Sequence, residues 1–390
     1  MQFYLYISFL VFLFTYRYPP FASMLAIISF IYALLLKIRS GQAKFTKTEL
    51  VSILAMVIYV STIPSMGADW RELLFFIQFC FMLWIFRDAS LSVDRFLKFV
   101  NLTYVLFVFL SYLVYFHIIL PGFRPTLEGV NQFNETFSGI HVKTLIGFSG
   151  STADIDSYSM LVFLLNLLFL RERKYSFLIM ALALANTLWT LRLTPLVMLL
   201  SAVLFVVLPT RQNKAKLIAL LTILFLVPFA PEILRALDYR NYYAFFIMTH
   251  GRYGIWEQYG DMVSRLDLAH ILLGMRDTVL PDIRVFGSTI WQNNPHSSYL
   301  RIFLSSGLLV YLFFYGVMYG RMKNITDKKT LIIAISILVA ALSNVNVFFN
   351  SNPIFLFTFL YFTSSVSIQR LRFNLSPVRP LGRNLEVHAT

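Results

Sequence analysis

Charged residues and cysteine are scarce in this sequence. Asp, Glu, Lys and Arg make up 13% of its 390 residues, whereas hydrophobic residues make up 58% and the mean hydropathy is +0.70. Soluble domains carry about 25% charged residues, so the composition excludes that class and predicts an integral membrane protein. The single cysteine, Cys80, lies in an apolar run. An intramolecular disulfide and a cysteine metal cluster are therefore excluded, and packing is its expected role.

The sequence also lacks the pattern of a cleavable leader. Residues 1–16 are apolar, but no basic segment precedes them, no small-residue cleavage site follows, and further apolar runs come after them. We therefore expect a retained helix at this position.

Twelve apolar stretches predict an all-α integral membrane protein with about twelve transmembrane helices. The stretch from 175 to 209 is interpreted as two helices that meet at Leu191–Thr194, because a single helix of ~52 Å would exceed a hydrocarbon core of ~30 Å. The predicted spans are 2–16, 21–36, 50–64, 72–86, 99–120, 157–170, 175–190, 194–209, 217–231, 298–319, 331–348 and 353–368.

The basic residues follow the positive-inside pattern. With both termini in the cytoplasm, the inner segments hold 21 of the 33 Lys and Arg residues and the outer segments hold 12, whereas the acidic residues divide 6 inside and 13 outside. The net charge of +14 therefore indicates orientation in a membrane and not nucleic-acid binding. This predicts a polytopic domain over 1–368, long periplasmic loops at 121–156 and 232–297, and a basic cytoplasmic tail at 369–390.

Arginine dominates the outer cations. Eleven of the 12 are Arg and the other is Lys143, whereas the inner set is 11 Arg and 10 Lys. A guanidinium binds phosphate through two parallel hydrogen bonds, so the bias indicates phosphate recognition at the outer surface. Chance combined with interfacial anchoring is the alternative.

The second long loop contains a spaced series of motifs. In chain order these are His250 to Trp256 (HGRYGIW), Leu272 to Gly274 (LLG), Asn294 to Leu300 (NPHSSYL) and Ser305 to Leu308 (SSGL). The series resembles the O-antigen polymerase and O-antigen ligase superfamily of bacterial envelope enzymes. Weaker matches at Gly147 to Ser159 and at Thr187 to Pro195 extend the resemblance over residues 145–310. One position departs from the family pattern, because Ser297 stands where Asn commonly follows the loop histidine.

The resemblance implies a glycosyltransferase of the inner membrane. Such enzymes displace undecaprenyl diphosphate from a lipid-linked glycan and pass the glycan to an acceptor hydroxyl without a nucleotide, a metal or another cofactor. A repeat-unit polymerase is the leading expectation, and the ligase that moves the chain to lipid A core is the alternative. The expected partners are the undecaprenyl-diphosphate-linked oligosaccharide, the acceptor glycan, the bilayer, a flippase and a chain-length regulator, with no nucleic acid.

Arginine and histidine side chains are the expected site residues. By resemblance, Arg192 and Arg252 bind the diphosphate, where guanidinium groups stabilise the charge that develops on the leaving group. His296 is expected to take the acceptor proton, because imidazole titrates near neutrality. Interfacial anchoring of the arginines and a structural histidine are the alternatives. Arg124, Arg240, Arg276, Arg284 and Arg301 are further candidates for the diphosphate, and His117, His141, His250 and His270 have less support as the base.

Two other functions fit parts of the sequence. Asp154-Ile155-Asp156 matches a DxD motif of metal-dependent glycosyltransferases, although capping of the following helix by Asp154, Asp156 and Ser157 is the favoured interpretation. A transporter is the remaining alternative. Transporters usually carry ionisable residues mid-membrane or paired broken helices, and the sequence shows neither clearly.

Overall fold

A computed structural model describes the chain in separate stretches. These are residues 2–14, 92–116, 118, 152–170, 174–190, 193–207, 214–237, 252–275, 283–284, 291–292, 295–323, 325, 327–343 and 353–364, with isolated positions 24, 25, 28, 31, 32, 35, 38, 39 and 83.

Helices account for nearly all of the described secondary structure. The exception is one antiparallel pair of two-residue strands, β1 (Ile283–Arg284) and β2 (Trp291–Gln292). The helices are α1 (Gln2–Phe14), α2 (Val93–Tyr115), α3 (Thr152–Phe169), α4 (Lys174–Thr190), α5 (Leu193–Val207), α6 (Lys214–Leu226), α7 (Ala230–Ala236), α8 (Arg252–Val263), α9 (Leu268–Leu273), α10 (Ser298–Met322), α11 (Lys328–Ser343) and α12 (Pro353–Phe362).

Three of the described helical stretches are long and apolar enough to cross a membrane. These are Val93–Tyr115, Ala215–Ala236 and Ser298–Met322. The second combines α6, a 3₁₀ turn at Val227–Phe229 and α7. Pro228 and Pro231 fall at the first turns of the 3₁₀ segment and of α7, where a missing N–H breaks no helical bond. The helical fold expected for a membrane protein is thus present, while the number of twelve spans stays a prediction.

Side-chain caps fix where several helices begin. Ser92 accepts a hydrogen bond from the Arg95 N–H at the start of α2, so this helix begins six residues before the predicted apolar run at 99. Asp327 caps α11 in the same way, since its carboxylate accepts from the Thr330 N–H at 2.8 Å. Hydropathy alone misses these polar first turns.

The break predicted at Leu191–Thr194 lies partly outside the described residues. Helix α4 is described as far as Thr190 and α5 from Leu193, and residues 191 and 192 between them are not described. The predicted spans at 21–36, 50–64 and 72–86 lie outside the described residues, except for isolated positions, and so do most of the loop at 121–156 and the tail at 369–390.

Capping of α3 by its acidic residues is a prediction that the structure overturns. The helix begins at Thr152, so Asp154, Asp156 and Ser157 lie inside its first two turns. Asp156 is fully buried and accepts a hydrogen bond from the Ser157 hydroxyl at 2.8 Å. The apolar run starts only at residue 157, and the helix extends past it because Thr and Asp are tolerated in a first turn, where the helix dipole favours negative charge.

Polar side chains join α2, α3 and α4 inside the helical bundle. Asn101 and Asn166 exchange amide hydrogen bonds of 3.0 and 2.8 Å, and the Ser176 hydroxyl donates to Asn166. Closer to the opposite ends of α2 and α4, the Tyr112 hydroxyl donates to Asn186 at 2.6 Å. Packing and hydrogen bonds replace the hydrophobic effect between helices in lipid, so these contacts select the helix partners.

The contacts also show how the helices run. Asn101 pairs with Asn166, and Tyr104 farther along α2 pairs with Ser159 earlier in α3, so α2 and α3 are antiparallel. Lys329, at the start of α11, lies 5.9 Å from the ring centroid of Phe169 at the end of α3. Phe362 at the end of α12 stacks on the same ring. These helix ends therefore lie on one side of the bundle.

Helices α6 and α10 also contact each other through tyrosine hydroxyls. The Tyr311 hydroxyl donates to the Phe225 carbonyl and the Tyr315 hydroxyl to the Ile218 carbonyl, so α6 and α10 are antiparallel. The Tyr299 hydroxyl at the start of α10 donates to the Leu338 carbonyl in the second half of α11.

Basic residues gather on one side of this bundle, which we call the basic end. The side that holds the starts of α3 and α10 is the motif end. Among the described residues, the cations at the basic end are Arg95, Lys98, Lys174, Lys214, Lys216, Arg321, Lys323, Lys328 and Lys329. The charge asymmetry of the sequence thus coincides with the two ends of the folded bundle.

Candidate functional site

Helix α8 begins at Arg252, in the Gly-Arg motif. Arg252 is partly buried, and Trp256, one turn later, is buried. Residues four apart share a helix face, so the arginine and the tryptophan of this motif project from the same side of α8. Burial raises the pKa of the intervening Tyr253 above its ordinary value.

A buried hydrogen bond joins α8 to the Pro-His motif. The Trp256 Nε1–H donates to the Pro295 carbonyl oxygen at 3.0 Å across 39 residues of chain. Pro295 is followed directly by His296, so the indole holds the backbone from which the histidine projects. A buried carbonyl needs such a donor, because leaving it unpaired would cost about 1–3 kcal/mol.

His296 has an unusual backbone conformation. Its φ is +50°, and it is the non-glycine residue with positive φ among the described residues. This region costs an L-residue roughly 1–2 kcal/mol, and strained residues of this kind cluster at functional sites. The turn leads into Ser297, whose hydroxyl accepts from the Leu300 N–H and caps α10.

Arg301 lies in the first turns of α10, near the same histidine. With Ser297 as the capping residue, His296 and Arg301 occupy the N′ and N4 positions of α10. Both side chains are partly buried. Tyr299, fully buried between them in sequence, anchors this turn through its hydrogen bond to Leu338 on α11.

The Leu-Leu-Gly and Ser-Ser-Gly motifs form a second junction. Helix α10 is interrupted at Gly307, whose φ and ψ are 76° and 178°, and Gly274, with φ of 77°, packs against the interruption. A Cβ on Gly274 would lie 2.5 Å from the Gly307 nitrogen. The Met275 N–H donates at 2.8 Å to the carbonyl of Leu304, three residues before the interruption. Two motifs separated by 30 residues are therefore in direct backbone contact.

An ionic cluster occupies the other side of α8, and the sequence interpretation missed it. Arg235 on α7 contacts Glu232, Glu257 and Asp261. The sequence did contain a sign of this acidic face, since Glu257 and Asp261 are four residues apart and therefore lie on the same side of a helix. Nothing in the sequence indicated that α7 would lie against that face.

Three of the predicted site residues lie in this region, namely Arg252, His296 and Arg301. Arg192 lies outside the described residues, between the ends of α4 and α5, and so do Arg124, Arg240 and Arg276. Arg284 lies in β1. Among the less supported histidines, His270 is bonded to Asp267, whose carboxylate accepts from the His270 backbone N–H and lies 2.7 Å from its Nδ1. These bonds hold the pKa of Asp267 below its usual range.

No set of three or more His, Cys, Asp or Glu side chains in the described stretches is arranged to hold a metal ion. The arrangement at the motif end instead supplies guanidinium groups, an imidazole and buried backbone junctions. Such a set suits binding of an anion next to a proton acceptor.

Comparison of the chain with protein-family models, with curated proteins and with solved structures found no match.

Proposed function

We propose that this protein is a polysaccharide repeat-unit polymerase of the bacterial inner membrane. It transfers a glycan from undecaprenyl diphosphate to an acceptor sugar hydroxyl at the periplasmic face. The observation that carries the proposal is the Trp256–Pro295 hydrogen bond, which ties the helix bearing Arg252 to the backbone bearing His296. A group-transfer site needs an anion stabiliser and a proton acceptor at fixed separation, and this bond supplies the connection.

The proposed reaction exchanges one C–O bond for another. The acceptor hydroxyl oxygen attacks the anomeric carbon, and the bond from that carbon to the diphosphate oxygen breaks with its electron pair. His296 takes the hydroxyl proton. Arg252 and Arg301, with Arg192 as a further ligand, stabilise the negative charge on undecaprenyl diphosphate. Undecaprenyl diphosphate and a glycan one repeat longer are the products.

The proposed membrane arrangement follows from the two ends of the bundle. The basic end lies in the cytoplasm and the motif end lies in the periplasm, in accord with the positive-inside rule. Twelve spans then place both termini in the cytoplasm. The anionic head group of the lipid-linked substrate meets Arg252 and Arg301 at the outer membrane surface, while its polyprenyl tail stays in the bilayer.

The burial of Asp156 bears on the metal-dependent alternative. Its side chain is fully buried and bonded to Ser157 inside α3, so it is not a surface carboxylate that is open to a metal ion. Charge stabilisation by arginine therefore fits the described residues better than a metal bound at this DxD sequence.

A deletion strain in a Gram-negative host tests the proposal. Loss of a polymerase leaves lipid A core capped with one repeat unit, which gives a single shifted band and no ladder. Bare core together with full-length polymer on undecaprenyl diphosphate would instead identify a ligase. Unchanged lipopolysaccharide and unchanged lipid-linked glycans would contradict the transferase proposal.

A further inference from the structure

Arg235 connects two helices through a fork of ion pairs. Its Nη1 lies 2.5 Å from the Asp261 carboxylate and its Nη2 lies 3.1 Å from the Glu257 carboxylate. Both carboxylates belong to α8, one turn apart, whereas Arg235 belongs to α7. A third carboxylate, Glu232 on α7, lies 3.5 Å from Nη1. The planar guanidinium is the side chain whose geometry engages two acceptors in this way.

These contacts argue against a phosphate-binding role for Arg235. One guanidinium surrounded by three carboxylates leaves a local excess of negative charge, which repels a diphosphate. The donors of Arg235 are also directed at Glu257 and Asp261. Arg235 therefore does not belong to the phosphate-binding set, although its position in the sequence places it there.

Helix α8 is held on opposite faces by two different sets of contacts. Trp256 and Asp261 are five residues apart, which places their side chains about 140° apart around the helix axis. Trp256 bonds the Pro295 carbonyl on one side, and Asp261 pairs with Arg235 on the other. Gly260 brings α8 close to α7, because a Cβ there would lie 2.5 Å from the Glu232 Oε1.

We propose that Arg235 is a positioning residue for the diphosphate site, an inference that rests on the proposed function. Its two ion pairs with Glu257 and Asp261 fix the rotation of α8 about its axis and its position along that axis. Through α8 they place Arg252 and the Trp256–Pro295 bond beside His296. Arg235 is about half exposed. Exposed ion pairs contribute little to stability, so the effect of Arg235 falls on the geometry of the site more than on the folding of the chain.

Kinetics of Arg235→Gln with purified protein and a lipid-linked repeat unit test this role. A misplaced Arg252 weakens the transition state more than substrate binding, so kcat is expected to fall about 10- to 100-fold with KM changed less than about threefold. Arg235→Lys keeps the charge but cannot reach both carboxylates of α8 as the guanidinium does, so its kcat should lie between those of Arg235→Gln and the wild type. Arg265→Gln is the matched control, because Arg265 is exposed in the turn after α8 and forms no ion pair within the described stretches. Its kcat and KM should equal those of the wild type.

Amide hydrogen exchange tests the same role without any need for activity. In Arg235→Gln, exchange at residues 252–263 should rise about two- to fivefold while residues 93–115 stay at the wild-type rate. Asp261→Asn, a milder change, should shift exchange in the same direction. Wild-type exchange in α8 of both variants overturns the inference, whether or not the protein transfers glycan. A raised KM with unchanged kcat in Arg235→Gln also overturns it, because Arg235 would then bind substrate directly. Inactive wild-type protein would contradict the proposed function, and the exchange result would still decide whether Arg235 positions α8.

Discussion

Gly274 and Gly307 contact each other backbone to backbone, and this contact is the point where the loop between α8 and α10 meets the interrupted helix α10. A Cβ on Gly307 would lie 2.5 Å from the Leu273 carbonyl carbon, and both glycines have a positive φ. The φ and ψ of each lie in a region that only glycine occupies readily. The two motifs therefore require glycine for steric reasons.

Alanine at either glycine should unfold this junction. Gly307→Ala combines backbone strain with a collision against backbone atoms that cannot move away, and we expect a loss of more than about 3 kcal/mol or no folded protein. Gly316→Ala and Gly320→Ala are matched controls in the same helix, since nothing lies within 4 Å of a Cβ at either position. Each control should be neutral or stabilising by up to about 1 kcal/mol. Thermal unfolding in detergent makes the comparison, and equal melting temperatures for Gly307→Ala and Gly316→Ala would contradict the contact.

Trp256→Phe should reduce activity more than it reduces protein level. Phenylalanine preserves an aromatic ring but removes the Nε1–H that donates to Pro295. The carbonyl then stays buried and unpaired, which costs about 1–3 kcal/mol and loosens the backbone at His296. Initial rates normalised to folded protein measure the effect. Wild-type rates in this variant would show that the bond is not needed for the site.

The Asn101–Asn166 pair should stabilise the association of α2 and α3. A double-mutant cycle with Asn101→Ala and Asn166→Ala should give a coupling energy of about 0.6–1.7 kcal/mol, the range for hydrogen bonds between helices in membranes. The free energy of unfolding of each variant is measured in mixed micelles that contain an increasing fraction of a denaturing detergent. If the losses of the two single variants are additive, the hydrogen bonds between the two side-chain amides contribute nothing to stability.

Reporter fusions should place the two ends of the bundle on opposite sides of the membrane. Lys214 starts α6 at the basic end, and Thr278 belongs to the loop at 232–297 that the sequence predicts to be periplasmic. We expect a cytoplasmic reporter to be active at Lys214 and a periplasmic reporter to be active at Thr278. The same side for both positions would refute the proposed topology.

The sequence predicted the helical fold well where apolar runs and polar breaks were clear. The division of residues 175–209 into two helices was predicted from helix length and membrane thickness, together with the basic segments on both sides of it. Helix starts were predicted too late at Val93 and Thr152, because polar first turns fixed by caps and by the helix dipole carry no hydropathy signal. Local sequence therefore specifies where a helix can run more clearly than where it begins.

The candidate site was predictable in its motifs but not in its contacts. His296 and Arg252 were chosen one motif at a time, and no feature of either motif indicated that Trp256 would bond Pro295 across 39 residues. Arg235 is one of the eleven arginines assigned to the outer side, and nothing in the sequence paired it with Glu257 and Asp261, which lie 22 and 26 residues away. Such pairings depend on how helices pack, which a single sequence does not specify.

Turnover by purified protein in the presence of a chelator tests the proposed chemistry most directly. The protein, in detergent with an undecaprenyl-diphosphate-linked repeat unit and an excess of EDTA, should lengthen the glycan and release one undecaprenyl diphosphate for each bond formed. Arg252→Ala and His296→Ala should each lower that rate by at least about 100-fold at normal protein levels, because each removes a group that acts in the transition state, whereas Arg265→Ala should leave it unchanged. Activity that is lost in EDTA and restored by magnesium or manganese, or wild-type turnover by the Arg252 and His296 variants, would contradict a metal-independent transferase built on these residues.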